Sequence, residues 1–152
     1  MTTWANYAPG GEAVAQEIPQ EDGSLLGTVI DGSWKMTDTY HVNNDKTAFN
    51  GREVIFKDGM PIWAANYHSV IPDPTDSTAV LEFFYGTVAA NPNPVLPVTA
   101  IDGTENDQFR FKVESMLGGK PTLARFVLAE TILYKPTSRA SFLNHVIGGW
   151  IN

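Results

Sequence analysis

Hydrophobic and polar residues alternate over much of the chain, which is the period-two pattern of half-buried β-strands. The segment GSWKMTDTYHV at residues 32–42 is the clearest case, because Trp34, Met36, Asp38 and Tyr40 share one face of a strand. Asp38 therefore occupies a position on the apolar face where a hydrophobic residue is expected. This position is the first indication of a site.

The same alternation predicts further strands separated by turn residues. SLLGTVIDGSWKMTDTYHV reads as two strands around Asp31-Gly32, and AFNGREVIFKDGMPIWAANYHSVI reads as a hairpin centred on residues 57–59. Three more strands are predicted in QFRFKVESM, LARFVLAETILYKP and SRASFLNHVIGGWI. Residues 13–18 predict an edge strand or an ordered arm.

One helix is predicted over about residues 76–90, behind candidate N-caps at residues 75–77. Its apolar residues recur at helical spacing: Val80, Leu81, Phe84 and Val88. The prolines of NPNP at residues 91–94 end the helix. We therefore predict a single domain over residues 1–152 with an α+β fold. It consists of a curved, mostly antiparallel β-sheet packed on one main α-helix, and a barrel-like closure of the sheet stays open as an alternative.

Two segments resemble each other and suggest an internal duplication. Each contains Glu-x-Ile shortly before a turn, and each ends with an aromatic residue, an asparagine and a histidine. Chance similarity between two hairpins is the alternative. If the repeat is real, His68 and His145 approach each other by pseudo-symmetry.

Three acids lie in apolar strand segments and are candidate site residues. Asp38 and Glu130 each fall on the hydrophobic face of their strand, and Glu53 alternates with Ile55. We expect Glu130 to be the companion of Asp38, with Tyr40, Asn66 and His68 nearby. A buried carboxylate must be paired, hydrogen-bonded or protonated, and two such acids can act as general acid and base. The alternative is structural, in which each acid binds a loop amide or pairs with a basic residue: Arg52, Arg125 or Lys57.

A histidine beside Asp38 or Glu130 would supply a base that titrates near neutral pH, and His68 is the candidate. The histidines, His41, His68 and His145, form no His-x-His, His-x-x-x-His or His-Glu pair that would seed a zinc site. We predict no metal and no cofactor. An exposed or capping side chain is the alternative for each histidine.

Aromatic residues provide the apolar part of the predicted site. Trp63 and Tyr67 favour a pocket wall and Trp34 favours the core, although all three are kept as candidates. The full set of predicted ligand-binding residues combines these aromatics with nearby polar side chains: Trp34, Tyr40, Glu53, Trp63, Asn66, Tyr67 and His145.

Charge and composition restrict the partners. The 152 residues carry a formal net charge of -7 and no Lys/Arg run, which argues against binding to nucleic acid or to an anionic membrane surface. The chain has no cysteine, so thiolate nucleophiles and disulfides are excluded. We expect no signal peptide and no membrane span, and therefore a cytoplasmic location. A small-molecule ligand is the expected partner, and the oligomeric state is not predicted.

Several motifs together resemble a family of small, uncharacterised bacterial domains. The motifs are NYAPGGE, GSWKMTDTY, FNGREVIFKDGMPIWAANY and the terminal GGWI. Some members of that family are attached to helix-turn-helix regulators, so the resemblance implies a sensing or ligand-binding role. This chain has no such DNA-binding segment. It also has His41-Val42-Asn43-Asn44 where the family often has two glycines after Asp-Thr-Tyr.

Three functions follow from these observations. The first is a binding module that holds a small, partly apolar organic molecule. The second is a cofactor-free isomerase, cyclase or hydrolase that uses Asp38, Glu130 or a histidine as acid and base. The third is a protein-interaction domain with a structural core.

Overall fold

The structure is a computed structural model that describes residues 16–90, 102–119, 121–122 and 124–151. Within these residues the chain forms eight β-strands, one 3-10 turn and one α-helix. In chain order they are β1 (Gln16–Pro19), β2 (Leu25–Asp31), β3 (Trp34–Val42), β4 (Ala48–Lys57), β5 (Met60–Val70), the 3-10 turn (Pro74–Asp76), α1 (Ser77–Ala89), β6 (Phe109–Ser115), β7 (Arg125–Tyr134) and β8 (Arg139–Trp150).

The eight described strands form one sheet in the order β1-β2-β3-β4-β5-β8-β7-β6, and every neighbouring pair is antiparallel. The predicted hairpin turns are confirmed. Asp58 and Gly59 join β4 to β5 with φ of 49° and 79°, as a type I′ turn requires. Gly32 has φ of 58° between β2 and β3. Of the edge strand predicted over residues 13–18, β1 confirms the part from Gln16 onward, and residues 13–15 lie outside the described residues.

The sheet stays open in the described part of the chain, with β1 at one edge and β6 at the other. The barrel-like closure considered from the sequence is therefore not formed. Closure would require the two edge strands to pair with each other.

Helix α1 covers only one end of the sheet, so the prediction of a sheet packed on one main helix is too strong. Phe84 of α1 lies 5.9 Å from Phe111 of β6 and 5.0 Å from Phe142 of β8 between ring centroids. The 13 residues of α1 make a helix about 20 Å long, whereas eight strands at the usual spacing span about 33 Å. One helix of this length cannot cover the whole sheet.

The entry to the helix differs from the prediction. The candidate N-caps at residues 75–77 lie in or after the 3-10 turn, and Asp73 caps that turn instead. The Asp73 carboxylate accepts hydrogen bonds from the Thr75 backbone N–H at 3.0 Å and from the Thr75 hydroxyl at 2.6 Å.

Among the described helices, none is both long and apolar enough to span a membrane.

One face of the sheet carries α1 and most of the buried side chains, and we call it the inner face. Its residues alternate along each strand, so the opposite, outer face carries the residues in between. The buried side chains of the strands on the inner face include Val29, Asp38, Tyr40, Glu53, Ala65, Ser69, Phe109, Phe111, Phe126, Leu128, Glu130, Ile132, Phe142 and Asn144.

Two apolar clusters fill the inner face. The helix-side cluster joins α1 to the sheet and consists of Ile71, Val80, Phe109, Phe111, Ile132 and Phe142. The Trp63 cluster lies farther along the strands and consists of Ala65, Phe126 and Leu128, with Trp63, Val113 and Val146 packed against them. Glu130 lies between the two clusters on β7, two residues after Leu128 and two before Ile132.

Candidate functional site

Asp38 and Glu53 are direct cross-strand neighbours on the inner face. The antiparallel register of β3 and β4 places Asp38 opposite Glu53, and the register of β4 and β5 places Glu53 opposite Ala65. Directly opposed residues have Cβ atoms about 4.5–5.5 Å apart, so two carboxylates at these positions repel each other. The predicted companion of Asp38 was Glu130, and the register corrects it to Glu53.

Glu53 is a buried acid that lacks a full set of partners. Its side chain is 3% exposed, and its Oε1 has no hydrogen-bond partner among the described residues. Burial raises the pKa of Glu53 well above its ordinary value, and the negative charges of Asp38 and Glu130 raise it further. The ionised form of Glu53 is therefore disfavoured.

Asp38 is held by Tyr67. The Tyr67 hydroxyl donates to the two carboxylate oxygens of Asp38 at 3.0 and 3.3 Å. Burial raises the pKa of Asp38 to about 6, and the hydrogen bond from Tyr67 opposes that rise. The Tyr67 hydroxyl stabilises the ionised form of Asp38.

Tyr40 extends the polar row toward the edge of the sheet. It is buried on the same face as Asp38, two residues along β3, and its hydroxyl donates to Glu17 Oε1 on β1 at 3.0 Å. Burial raises the pKa of Tyr40, and the hydrogen bond to Glu17 raises it further. Glu17 adds a fourth acid to this face, since it lies opposite Gly27, which lies opposite Asp38.

Glu130 ends a chain of three polar side chains that crosses the centre of the sheet. Ser69 Oγ donates to Asn144 Oδ1 at 2.8 Å, and Asn144 Nδ2 donates to Glu130 Oε2 at 2.7 Å. Burial raises the pKa of Glu130 to about 7, while the hydrogen bond from Asn144 lowers it. The other oxygen of Glu130, Oε1, is buried without a hydrogen-bond partner among the described residues.

The basic residues considered as partners do not pair with these acids. Arg52 is exposed, and its register partners on the neighbouring strands are Thr39 and Asn66. Arg125 is also exposed, and the Lys57 ammonium lies 4.8 Å from the centroid of the Trp34 ring. The ion pairs seen between described residues involve acids outside the inner face: Asp73, Asp76, Glu105 and Glu114.

The histidines lie on the outer face, away from the acids. The register aligns His41, Asn50, His68 and His145 in one row across β3, β4, β5 and β8, and all four are exposed. The expected approach of His68 to His145 is confirmed, because they are direct cross-strand partners. The expectation of a histidine beside Asp38 or Glu130 is wrong, because His68 follows Tyr67 and adjacent strand residues point to opposite faces.

Asn66 is also on the outer face and exposed, so the sequence-based grouping of Asn66 with Asp38 is corrected for the same reason. His145 is separated from the inner acids in the same way. Within the described ranges, no group of three or more His, Asp and Glu residues has the arrangement of a metal site.

Trp63 lies in the apolar cluster of the inner face, whereas Trp34 is exposed. Trp63 lies in the inner apolar cluster, where its ring stacks on Phe126 with centroids 5.8 Å apart. Its indole Nε1 is buried and has no acceptor among the described residues. Trp34 was expected in the core, but it is 47% exposed, and it lies beside the turn of the β2–β3 hairpin. Trp34 is therefore not part of the inner site.

Three inner-face residues were missed by the sequence reasoning. Ser69 and Asn144 form the hydrogen-bond chain to Glu130, and Gly51 leaves space for Tyr67. The signal for Asn144 was present, because Phe142, Asn144 and Val146 alternate as Trp34, Met36 and Asp38 do. The signal for Gly51 was absent, since only the packed structure shows what crosses that position.

Compared with known proteins, the chain matches no family model, and no curated protein or solved structure matches it significantly. The resemblance to a family of small bacterial domains therefore stays a prediction.

Proposed function

We propose that this protein binds a small, partly apolar organic ligand at the inner face of its sheet. One observation carries the proposal: Glu53 Oε1 and Glu130 Oε1 are buried without hydrogen-bond partners among the described residues. An unsatisfied buried polar atom costs about 1–3 kcal/mol, and more when the group is charged. A ligand that hydrogen-bonds these oxygens offsets that cost.

The apolar part of the ligand is assigned to the Trp63 cluster. Ala65 of this cluster lies directly opposite Glu53, and Trp63 lies two residues before Ala65 on the same face of β5. The indole N–H of Trp63 is a further donor without an acceptor among the described residues. Binding sites commonly combine an apolar wall with a few polar groups that fix orientation.

The proposal includes an origin of the site by duplication of a hairpin. Glu53 and Glu130 both begin a Glu-x-Ile segment, and the ladder register shifts directly after Ile55 and after Ile132. The two hairpins meet where His68 pairs with His145. Each hairpin would then contribute one acid to the inner face. The resemblance to regulator-associated domains adds a sensing role to this proposal.

A second candidate function is acid and base catalysis without a cofactor. Burial raises the pKa of Asp38 to about 6 and that of Glu130 to about 7, so both acids titrate near neutral pH. Groups with such pKa values are suited to proton transfer at that pH. His68 has no part in this candidate, because it lies on the outer face.

Thermal unfolding in the presence of a library of small organic compounds tests the proposal. The comparison uses the wild type, Glu53→Gln and a control variant, Glu82→Gln, whose side chain is exposed on α1. We expect one compound class to raise the Tm of the wild type and of Glu82→Gln and to lose most of this effect in Glu53→Gln. If no compound raises the Tm of the wild type, the acids are structural and the proposal is wrong. If compounds that raise the Tm are found, an assay for their chemical conversion by the protein tests the second candidate, acid and base catalysis.

A further inference from the structure

We propose that two copies of this chain associate through one end of the sheet. This end is formed by the β2–β3 turn, the β4–β5 turn, the start of the β6–β7 loop and the last residues of β8, and we call it the turn end. The proposal is independent of any ligand of the inner face. It follows from the distribution of apolar side chains and of charges over the described surface.

The strand register brings these segments to the same end of the sheet. Trp34, the first residue of β3, pairs with Lys57, and Lys57 pairs with Met60, the first residue of β5. The end of β8 lies beside the start of β5, because the Ile151 backbone N–H donates to the Ile62 carbonyl at 2.9 Å. The turn end is therefore one region of the surface and not a set of separate loops.

Most of the exposed large hydrophobic side chains of the described residues lie at the turn end. They follow one another strand by strand: Ile30 of β2, Trp34 of β3, Met60 of β5, and Trp150 and Ile151 at the end of β8. The β6–β7 loop adds Met116 and Leu117, and its Ala124 carbonyl accepts a hydrogen bond from the Trp150 backbone N–H at 3.2 Å. Each of these seven side chains belongs to a residue that is 45–67% exposed.

The apolar area of the turn end is comparable to that of a protein interface. Half-exposed side chains of this size leave about 100 Å² each, so the seven present roughly 700 Å². The largest apolar patch of a monomer is commonly about 300–600 Å², and each partner of a stable interface buries about 800 Å². By contrast, the turns at the opposite end of the sheet consist of polar residues, glycine and proline, at residues 20–24, 43–47 and 135–138.

The charges of the turn end favour a second copy as its partner. Within residues 30–35, 56–61, 116–119 and 150–151 the charged side chains are two aspartates and two lysines: Asp31, Lys35, Lys57 and Asp58. These four charges cancel, whereas the whole chain carries -7, so the excess of negative charge lies elsewhere. Two copies that meet at their turn ends keep those acids apart, and the lysines of each copy can face the aspartates of the other. A two-fold symmetric interface requires such self-complementarity.

The edges of the sheet are less suited to a second copy. The β6 edge is already paired, because the Gly103 N–H donates to the Phe111 carbonyl at 2.9 Å and the Phe111 N–H donates to the Thr104 carbonyl at 2.8 Å. At the other edge, β1 has four described residues and ends in Pro19, which has no backbone N–H. Neither edge offers a long run of unpaired backbone groups in the described part of the chain.

Sedimentation of the full chain over a wide range of protein concentrations tests the proposal. The measurement uses about 0.15 M salt, at which a Debye length of about 8 Å screens the acids outside the turn end. The variants are Ile30→Glu and Met60→Glu, whose side chains are exposed at the turn end. Ile147→Glu is the matched control, since Ile147 is similarly exposed on the outer face of β8. Thermal unfolding shows whether each variant is folded.

We expect the wild type and Ile147→Glu to change from monomer to dimer as the concentration rises. Each turn-end substitution should weaken the dimer at least about tenfold, because it places a buried charge in the interface twice. If the wild type is monomeric at all concentrations, or Ile30→Glu and Met60→Glu dimerise as tightly as the control, the proposal is wrong. If a monomeric wild type binds phosphatidylcholine vesicles and the turn-end variants do not, the turn end contacts lipid and the proposal is also wrong.

Nitroxide labels locate the interface without a disruptive substitution. The chain has no cysteine, so Ser33→Cys labels the turn end and Asn44→Cys labels the opposite end at exposed positions. In the dimer, the distance between two Ser33→Cys labels should be much shorter than the distance between two Asn44→Cys labels, since the strands separate the two ends of each copy. The reverse order would place the interface at the opposite end and overturn the proposal, even if a glutamate variant fails to fold.

Discussion

The ring of Tyr67 lies directly over Gly51. A Cβ atom at position 51 would be 2.4 Å from both Cζ and the hydroxyl oxygen of Tyr67, and 2.8 Å from Cβ of Tyr40. Real Cβ atoms essentially never approach other atoms so closely. The missing side chain of Gly51 therefore allows Tyr67 to reach Asp38, and the hydrogen bond between them depends on a third strand.

Replacement of Gly51 by alanine should disrupt this arrangement. Gly51 has no positive φ, so alanine at this position is not strained by the backbone and acts only through its Cβ. We expect Gly51→Ala to lower the free energy of unfolding by about 1–3 kcal/mol, the usual cost of overpacking. Urea denaturation measures the loss.

Gly86→Ala is the matched control for Gly51→Ala. Gly86 is exposed within α1, and a Cβ there meets no atom within 4 Å. Alanine is favoured over glycine in a helix by about 1 kcal/mol, so this variant should gain stability. An unchanged or higher stability of Gly51→Ala would show that Tyr67 does not occupy the space above Gly51.

The buried acids should make the protein less stable as pH rises from about 4 to 7. The unfolded pKa values are about 3.9 for Asp and 4.3 for Glu. In the folded protein burial raises the pKa of Asp38 to about 6 and that of Glu130 to about 7. Their contribution to stability is complete below the unfolded pKa and is lost as pH rises through the folded pKa. Each group should cost about 1 kcal/mol per pH unit within that window.

Denaturation at several pH values between 4.5 and 8 measures this slope. Asp38→Asn and Glu130→Gln should each flatten it, whereas Glu82→Gln should leave it unchanged. This window lies above the titration of Asp22 and Asp73, whose pKa values are lowered by hydrogen bonds. Their contribution to the stability of the protein is lost only as the pH falls further. A wild type that becomes more stable from pH 5 to 7 would contradict the raised pKa values of Asp38 and Glu130.

The Tyr67 hydroxyl should control the charge of Asp38. Its hydrogen bonds stabilise the ionised carboxylate and hold the pKa of Asp38 below the value that burial alone would give. We expect Tyr67→Phe to raise the pKa of Asp38 above about 6. Carbon NMR of the aspartate carboxyl groups measures the change, with Asp38→Asn identifying the signal. A constant pKa would mean that another donor binds Asp38.

The sequence contained enough information for the strands and for the burial of the acids. Alternation and turn residues such as Asp58-Gly59 define hairpins locally, so the antiparallel sheet was predictable. The same alternation placed Asp38 and Glu130 on apolar faces, and their burial is confirmed. Both features depend on residues close together in the chain.

Features that depend on packing between distant segments were not predictable. The predicted site combined Tyr67 with its sequence neighbours Asn66 and His68, although adjacent strand residues face opposite sides of a sheet. The pairing of β5 with β8 is a contact over more than 70 residues, and it brings Ser69 and Asn144 together. The extent of α1 coverage likewise depends on the width of the assembled sheet.

Asn144 should be the most sensitive member of its hydrogen-bond chain. Asn144→Ala removes the donor to Glu130 and the acceptor of Ser69 at once, and both partners are buried. We expect a loss of about 1–3 kcal/mol in the free energy of unfolding and a higher pKa of Glu130. Asn50→Ala on the outer face is the control, and it should change stability by less than about 0.5 kcal/mol. Equal effects of the two substitutions would show that the hydrogen bonds of Asn144 contribute no stability.

The outer histidines should be dispensable for the inner site. His68 and His145 face each other across β5 and β8 and are exposed, so His68→Ala and His145→Ala should each change stability by less than about 0.5 kcal/mol. Both variants should also keep the pH slope that depends on Glu130 and the binding of any compound that stabilises the wild type. Calorimetric titration of that compound into His68→Ala and Glu130→Gln makes the comparison direct. If His68→Ala loses binding while its stability is unchanged, ligand recognition involves the outer face, and the inner acids are not the whole site.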